Sequence, residues 1–311
     1  MNLDRKYRPK TFEEFVGNEK LVRKIKALLK VGEMPHLMFV GPPGSGKTTM
    51  ALLVAKNYLG RPININTREG DKDFYKLNAS DERGIDTITK DIQLRAQTKS
   101  ETPNKKRIIF LDEADSLTKD AQHALRAIVE DNEHRCLFIF SLNHIEGIKE
   151  PALISRCATF FFKRPTKEQS SELFLDICEK EGVVLESIEM ALDIAEYYKG
   201  DLRHMLNDCL EASKGYENPV TVEDLYEIYE QTGKSVAERV YKSPNPRKTF
   251  FDIYRKEAFD TRQFLEEYYE LLGEKAIPYS KAFAKIDARL RMYCSDVIQI
   301  NYLFTMLEKG V

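Results

Sequence analysis

The chain has 311 residues, 42% hydrophobic and 32% charged, with a formal net charge of −2. That composition excludes a disordered chain, and the length suits two or three modules rather than one small core. The near-neutral total gives no sign of a nucleic-acid partner, although a neutral sum can hide a basic face.

The start, Met1-Asn2-Leu3-Asp4-Arg5-Lys6, lacks an apolar run and does not read as a signal peptide. No stretch approaches the roughly 20 apolar residues of a membrane span. The expectation is an intracellular, soluble protein with no membrane partner. The five cysteines, Cys136, Cys157, Cys178, Cys209 and Cys294, form no CxxC pair. Neither a zinc module nor a disulfide framework is implied.

In chain order, Thr11 with Glu14 reads as a capping box just before a helix striped by Leu21, Val22, Ile25, Leu28 and Leu29. Five strand-length apolar runs follow: Leu37 to Val40, Phe74 to Leu77, Ile108 to Leu111, Leu137 to Ser141 and Thr159 to Phe162. Continuous apolar strands separated mostly by helical or polar stretches predict a parallel sheet covered on both faces.

The pattern changes near Arg164-Pro165-Thr166. Thr166 and Gln169 form a second capping box, opening a helix that runs to Glu181 and stops at Gly182. Further helices are predicted over Ser187 to Tyr198, Asp201 to Lys214 and Val222 to Tyr229. After a break at Ser243-Pro244-Asn245-Pro246 the chain stays helical and turns aromatic, with Phe250, Phe251, Tyr254, Phe259, Phe264, Tyr268 and Tyr269 beside Leu271 and Leu272. This last part carries no nucleotide motif, and its expected task is packing.

Gly41-Pro42-Pro43-Gly44-Ser45-Gly46-Lys47-Thr48-Thr49 matches G-x-x-x-x-G-K-[ST] between a strand and an apolar helix. Glycines let the backbone wrap phosphates and aim N–H groups inward, and the helix N-terminus adds favourable partial charge. Lys47 would reach the β- and γ-phosphates and Thr48 would hold Mg²⁺. The strand Ile108 to Leu111 runs into Asp112-Glu113, so Asp112 would join the Mg²⁺ shell and Glu113 would orient or activate the attacking water. The bland alternative is a pair of solvated acids ahead of a helix capped by Asp115 or Ser116. Asn143, closing the next strand at Ser141-Leu142-Asn143, is a candidate to hydrogen-bond that water or the γ-phosphate, or an ordinary turn residue.

With these pieces stand Arg5 to Thr11, Val16-Gly17-Asn18-Glu19, Met34-Pro35-His36, the long segment Leu77 to Asp86, Asp112-Glu113-Ala114-Asp115, Asp120 to Arg126, Ser155-Arg156-Cys157 and Gly200-Asp201-Leu202-Arg203. Together they resemble the small subunit of archaeal or eukaryotic replication factor C, strongly over about the first 215 residues. The resemblance implies an α/β P-loop AAA+ module with a parallel sheet between helices, an all-α lid and an all-α C-terminal collar. The expected boundaries are 1–164, 165–230 and 231–311.

It also implies an ATPase, with ATP and Mg²⁺, that opens a sliding clamp of the proliferating cell nuclear antigen type and loads it onto primed template DNA. The implied partners are a large subunit and other small subunits in a ring. The location would be the cytoplasm in an archaeon or the nucleus in a eukaryote. Arg8, Pro9, Val16 and Gly17 would lie on the adenine side. Arg156 would act as an arginine finger on a neighbour's ATP, and Arg203 as the lid arginine on the chain's own. Arg83 would face DNA backbone, and Gln122 and Arg126 would couple DNA and neighbours to the site.

The chain departs from the family pattern at Leu142, where cysteine is frequent, and at Arg126-Ala127 and Arg203-His204, where basic pairs are frequent; it also has no tryptophan. The competing readings are another AAA+ motor, such as a branch-migration helicase or a protein remodeller, and a ring scaffold that binds nucleotide without hydrolysing it. A bacterial-type loader subunit lacks support because its paired zinc cysteines are missing.

Overall fold

The computed structural model describes residues 2–63, 71–79, 85–222, 224–225, 228, 233–255, 261–291 and 296–309. The segment Ser80 to Gly84, which contains the expected DNA contact Arg83, lies outside them, as do Phe259, Cys294 and parts of the predicted helix from Val222 to Tyr229.

Five parallel strands form one sheet: β1 His36–Val40, β2 Phe74–Asn78, β3 Arg107–Asp112, β4 Cys136–Leu142 and β5 Cys157–Phe161, in the order β2-β3-β4-β1-β5. They are the five apolar runs of the sequence, each shifted at its ends by no more than two residues. Strands β1 and β4 are buried along their whole length, as continuous apolar runs require when both faces are covered.

Alternation along the strands sorts side chains onto two cores. On one face Leu37, Phe39, Phe110, Leu137, Ile139 and Phe160 pack under helices α1 Glu19–Val31 and α2 Lys47–Leu59. On the other, Met38, Val40, Ile109, Leu111, Phe138 and Phe140 pack under α3 Ile85–Gln97 and α4 Lys119–Asp131. The expected parallel α/β module followed by helices is the architecture formed.

Local signals decide where helices begin. Helix α4 starts after Thr118, whose side chain accepts from Ala121 N, so neither Asp115 nor Ser116 caps it. Helix α5 Pro151–Ser155 opens on a proline. Helix α6 Lys167–Glu181 carries the predicted Thr166/Gln169 capping box and ends on left-handed Gly182. The predicted box at Thr11 and Glu14 behaves differently. Glu14 N reaches Thr11 Oγ1 and the Glu14 carboxylate accepts from Lys10 N, but the turn leads into no helix. Helix α1 begins eight residues after Thr11, behind Asn18, whose amide is spent on both backbone groups of Lys163.

The chain divides into two compact units, 1–182 with 187–208, and 183–186 with 209–311. In the first, helix α7 Glu189–Tyr197 packs with α6. Past it, the single helix expected from Asp201 to Lys214 is instead a turn of α-helix at Leu202–His204, a π-helical stretch Met205–Leu210 and Glu211–Ser213. The second unit contains α8 Gly233–Tyr241, α9 Pro246–Tyr254, α10 Thr261–Leu272, α11 Ser280–Arg291 and α12 Asp296–Lys309. The predicted break at 243–246 is the start of α9, with Asn245 capping and Pro246 in its first turn. Phe250, Phe264, Tyr268 and Phe304 fill the core of this unit, with the Phe250 and Phe264 ring centroids 4.6 Å apart. Among the described residues no helix is long and apolar enough to cross a membrane.

Candidate nucleotide site

Buried strand β1 feeds directly into the loop Gly41 to Gly46, and the loop into α2. Gly41 N donates to Leu142 O, which prolongs the β1–β4 pairing by one residue and fixes where the loop departs. Gly44 is left-handed, with φ 77°, and a Cβ there would lie 2.5 Å from Asp201 Oδ1. Only glycine satisfies both conditions. Gly46 is the N-cap of α2 and Lys47 its first residue, so the helix N-terminus opens onto the loop.

Lys47 folds back over this loop. Its Nζ donates to Gly41 O at 2.5 Å, Pro42 O at 3.0 Å and Asn143 Oδ1 at 3.1 Å. Burial pushes its ammonium down to about 8, against the opposing pull of Asp112 and Asp115. Thr48 Oγ1 stands 3.1 and 3.3 Å from the Asp112 carboxylate oxygens.

Asp112 closes β3 and draws on both neighbouring strands. Lys76 of β2 places Nζ 2.8 Å from its Oδ2, and Ser141 of β4 donates its hydroxyl to Oδ1. Burial works to raise the Asp112 carboxyl, but Lys76, Ser141 and Thr48 together hold it below its usual value. The next residue, Glu113, is exposed and left-handed, with φ 57°, and its N–H donates to the same Ser141 hydroxyl. A non-glycine residue in that region of backbone space carries strain of roughly 1 kcal/mol or more. Asp115 Oδ2 then accepts from Asn143 N and His144 N, holding the end of β4.

Lys47, Thr48, Asp112, Glu113, Ser141 and Asn143 line one cavity. Its polar end is made by Pro43 to Thr49, Asp112, Glu113, Ser141 and Asn143. Its other end is made by Tyr7, Pro9, Phe15, Val16, Pro165, Leu173, Ile177, Leu202 and Leu206, with Asp4, Arg8 and Arg203 also on its wall. A phosphate cradle together with an apolar lining suits a nucleotide. A hydroxyl and a carboxylate are hard oxygen donors of the kind Mg²⁺ takes alongside phosphate and water. Among the described residues no cluster of three or more His, Cys, Asp or Glu could cage a metal without such help.

The sequence candidates thus divide. Arg8, Pro9, Val16, Pro43, Gly44, Ser45, Gly46, Lys47, Thr48, Thr49, Asp112, Glu113, Asn143 and Arg203 share the cavity wall. Gly41 and Pro42 lie off that wall, and their carbonyls accept from Lys47. Gly17 packs against Pro165 instead. Arg156, at the exposed end of α5, lies off the wall; it donates to Ala152 O and pairs with Glu130 of α4. Burial pushes the neighbouring Cys157 thiol up to about 12, which removes it from thiolate chemistry.

Gln122 is fully buried. Its Nε2 donates to Leu117 O and Gly147 O, and its Oε1 accepts from Lys149 N, so it ties α4 to the loop before α5. Arg126, one turn on, has a buried Nε without a hydrogen-bond partner. Sequence reasoning missed Lys76, the hold of Asp115 on Asn143 and His144, and the pairing of Arg164 with Asp201. A lone lysine in a strand and acids distant in sequence from their partners give no local signal.

Residues 37–165 match the ATPase family associated with various cellular activities (AAA). The replication factor C small subunit of Archaeoglobus fulgidus is 41% identical over 224 residues, 72% of this chain and 67% of that protein. The replication factor C small subunit 1 of Pyrobaculum islandicum is 32% identical over 322 residues, 97% of this chain and 92% of that protein. Among solved structures, the RuvB Holliday junction branch migration motor of Thermotoga maritima superposes with a TM-score of 0.59 at 16% identity, covering 86% of this chain and 90% of that one. At that identity the likeness is one of fold.

Proposed function

The chain belongs to the replication factor C small-subunit family of AAA ATPases, and from that premise we propose that it works as an ATP-driven subunit of a sliding-clamp loader. It is a nucleotide-binding ATPase. The observation that carries the loader reading is the match along nearly the whole chain to a replication factor C small subunit, helical C-terminal region included. The likeness to the branch migration motor is one of fold and favours no helicase.

In this reading residues 1–164 hold nucleotide, 165–230 form a lid and 231–311 a collar that joins neighbouring subunits. Lys47 and the loop N–H groups bind the phosphates. Thr48 and Asp112 would hold Mg²⁺, which would supply charge neutralisation to the phosphates. Glu113 orients the attacking water, with its backbone fixed by Ser141. Asn143, carried by Asp115, reaches the γ-phosphate or the water, and Arg203 closes on the phosphates from the lid side.

Arg156 acts on the nucleotide of the adjacent subunit; its exposed place away from its own chain's cavity supports that assignment. Gln122 and Arg126 relay contact along α4, and Arg83 meets DNA backbone. The loader grips and opens a ring-shaped clamp with ATP bound, encloses a primer–template junction, and releases the closed clamp on hydrolysis. Its DNA contacts are to phosphate, so its affinity falls steeply with salt.

The test is steady-state ATPase activity of the chain reconstituted with its large subunit, with and without primed DNA and a sliding clamp. Synergistic stimulation by both, abolished by Arg156→Ala, is expected. Turnover indifferent to the clamp overturns the loader reading. Glu113→Gln separates a hydrolysing subunit from a scaffold: turnover at this chain's site is lost while ATP still binds.

A further inference from the structure

Three backbone segments meet beside the phosphate loop: Pro43-Gly44 of the loop itself, Arg164-Pro165 after β5, and Gly200-Asp201 ahead of the turn that carries Arg203. Their approach is close. A Cβ on Gly44 would lie 2.5 Å from Asp201 Oδ1, and one on Gly200 would lie 2.6 Å from Pro165 O.

One guanidinium joins all three. Arg164 Nε donates to Pro43 O at 3.3 Å, and Arg164 Nη2 donates to Asp201 Oδ2 at 2.9 Å. Asp201 is only 4% exposed. Its second oxygen, Oδ1, accepts from Arg203 N at 3.1 Å and His204 N at 3.4 Å, capping the turn that presents Arg203 to the cavity. Buried, that carboxylate depends on the arginine and the two N–H groups together for its hydrogen bonds.

We infer that Arg164 is a positioning residue that transmits the state of the phosphate loop to Arg203. Every link in the path is direct: loop carbonyl to guanidinium, guanidinium to Asp201, Asp201 to the backbone of Arg203. A loop that tightens around a γ-phosphate moves Pro43 and Gly44, and Asp201 has no room to stay behind. Arg203 then closes on a triphosphate better than on a diphosphate. Lysine cannot replace Arg164, because the planar fork spans the carbonyl and the carboxylate at once and an ammonium does not. The inference rests on the reading of Arg203 as the arginine that closes on the nucleotide.

The experiment measures the affinities of ADP and of ATPγS for the full chain by fluorescence competition, in wild type, Arg164→Ala, Arg203→Ala and the double variant. The readout is the preference for triphosphate, the ratio of the two dissociation constants. Arg203→Ala reduces this preference, and Arg164→Ala reduces it by a similar factor of about three to ten. The double variant is no worse than either single one, because both break the same path. Arg164→Lys keeps the charge beside Asp201, leaves the melting temperature within a few degrees, and still loses most of the preference. It carries the test should Arg164→Ala fail to fold.

Multiplying effects in the double variant, or an Arg164→Lys variant with unchanged preference while Arg203→Ala loses it, overturns the relay. An Arg203→Ala variant with unchanged preference overturns the reading of Arg203 on which the relay is built.

Discussion

The Lys76 ammonium lies 2.8 Å from Oδ2 of Asp112, reaching from the outermost strand of the sheet to the carboxylate proposed to hold the metal. A divalent cation at Asp112 has to compete with that ammonium. Lys76→Met therefore lowers the Mg²⁺ concentration that half-saturates nucleotide binding. The side chain is 35% exposed and screened by solvent, so the expected change is about two- to fivefold. Titrating Mg²⁺ against the affinity of a fluorescent ATP analogue measures it. An unchanged midpoint would show that the pair does not bear on the metal.

Lys47 supplies the pH dependence. Its ammonium titrates near 8 in the folded chain against 10.5 when unperturbed. The lowered value means that burying the charged form opposes folding below about pH 8, and that this penalty fades as pH rises from 8 towards 10.5. A triphosphate beside Nζ favours the charged form and raises the value again. Binding ATP at pH 8.5 thus takes up somewhat less than about one proton, and at pH 6.5 takes up almost none at this group. Calorimetry in buffers of different ionisation enthalpy reads the uptake, and Lys47→Met abolishes it.

Much of this site is legible in the sequence because its parts are local. The phosphate loop is one contiguous motif, and Asp112 and Asn143 end apolar runs whose length and burial mark them as strands. The supports are distant. Asp115 acts on Asn143 and His144, Arg164 on Asp201, and Lys76 on Asp112 across two neighbouring strands. None of these pairings shows in a window of sequence. The Thr11/Glu14 pair misled for a related reason. A capping box records a turn that satisfies its own N–H groups, and here the chain uses that turn without continuing into a helix.

Gln122 offers a test of the link between α4 and the segment bearing Arg156. Gln122→Leu keeps the volume but leaves Leu117 O, Gly147 O and Lys149 N without their partner. A buried group stripped of its hydrogen bond costs about 1–3 kcal/mol, and of these three only the Leu117 bond is buried, the other two being part-buried, so the variant loses about 2 kcal/mol in denaturant unfolding. The loss is local as well as global. Amide exchange across residues 147–156 quickens more than across α2, which draws on a different core.

Gly44→Ala separates backbone conformation from contact. Left-handed backbone costs an alanine about 1–2 kcal/mol wherever it occurs. Gly60 provides the control: its φ is 69° and nothing lies within 4 Å of a Cβ placed there. Gly60→Ala therefore lowers stability by about 1 kcal/mol and leaves nucleotide affinity unchanged. At Gly44 the new methyl also meets Asp201 Oδ1 at 2.5 Å, and that oxygen cannot retreat because Asp201 is held by Arg164, Arg203 N and His204 N. The loop has to move instead, and with it the N–H groups that face the phosphates. The expected result is a loss of ATP affinity of about tenfold or more, with a melting temperature only a few degrees below that of Gly60→Ala. Equal affinities for the two variants would show that the loop tolerates displacement and that its contact with Asp201 carries no part of phosphate binding.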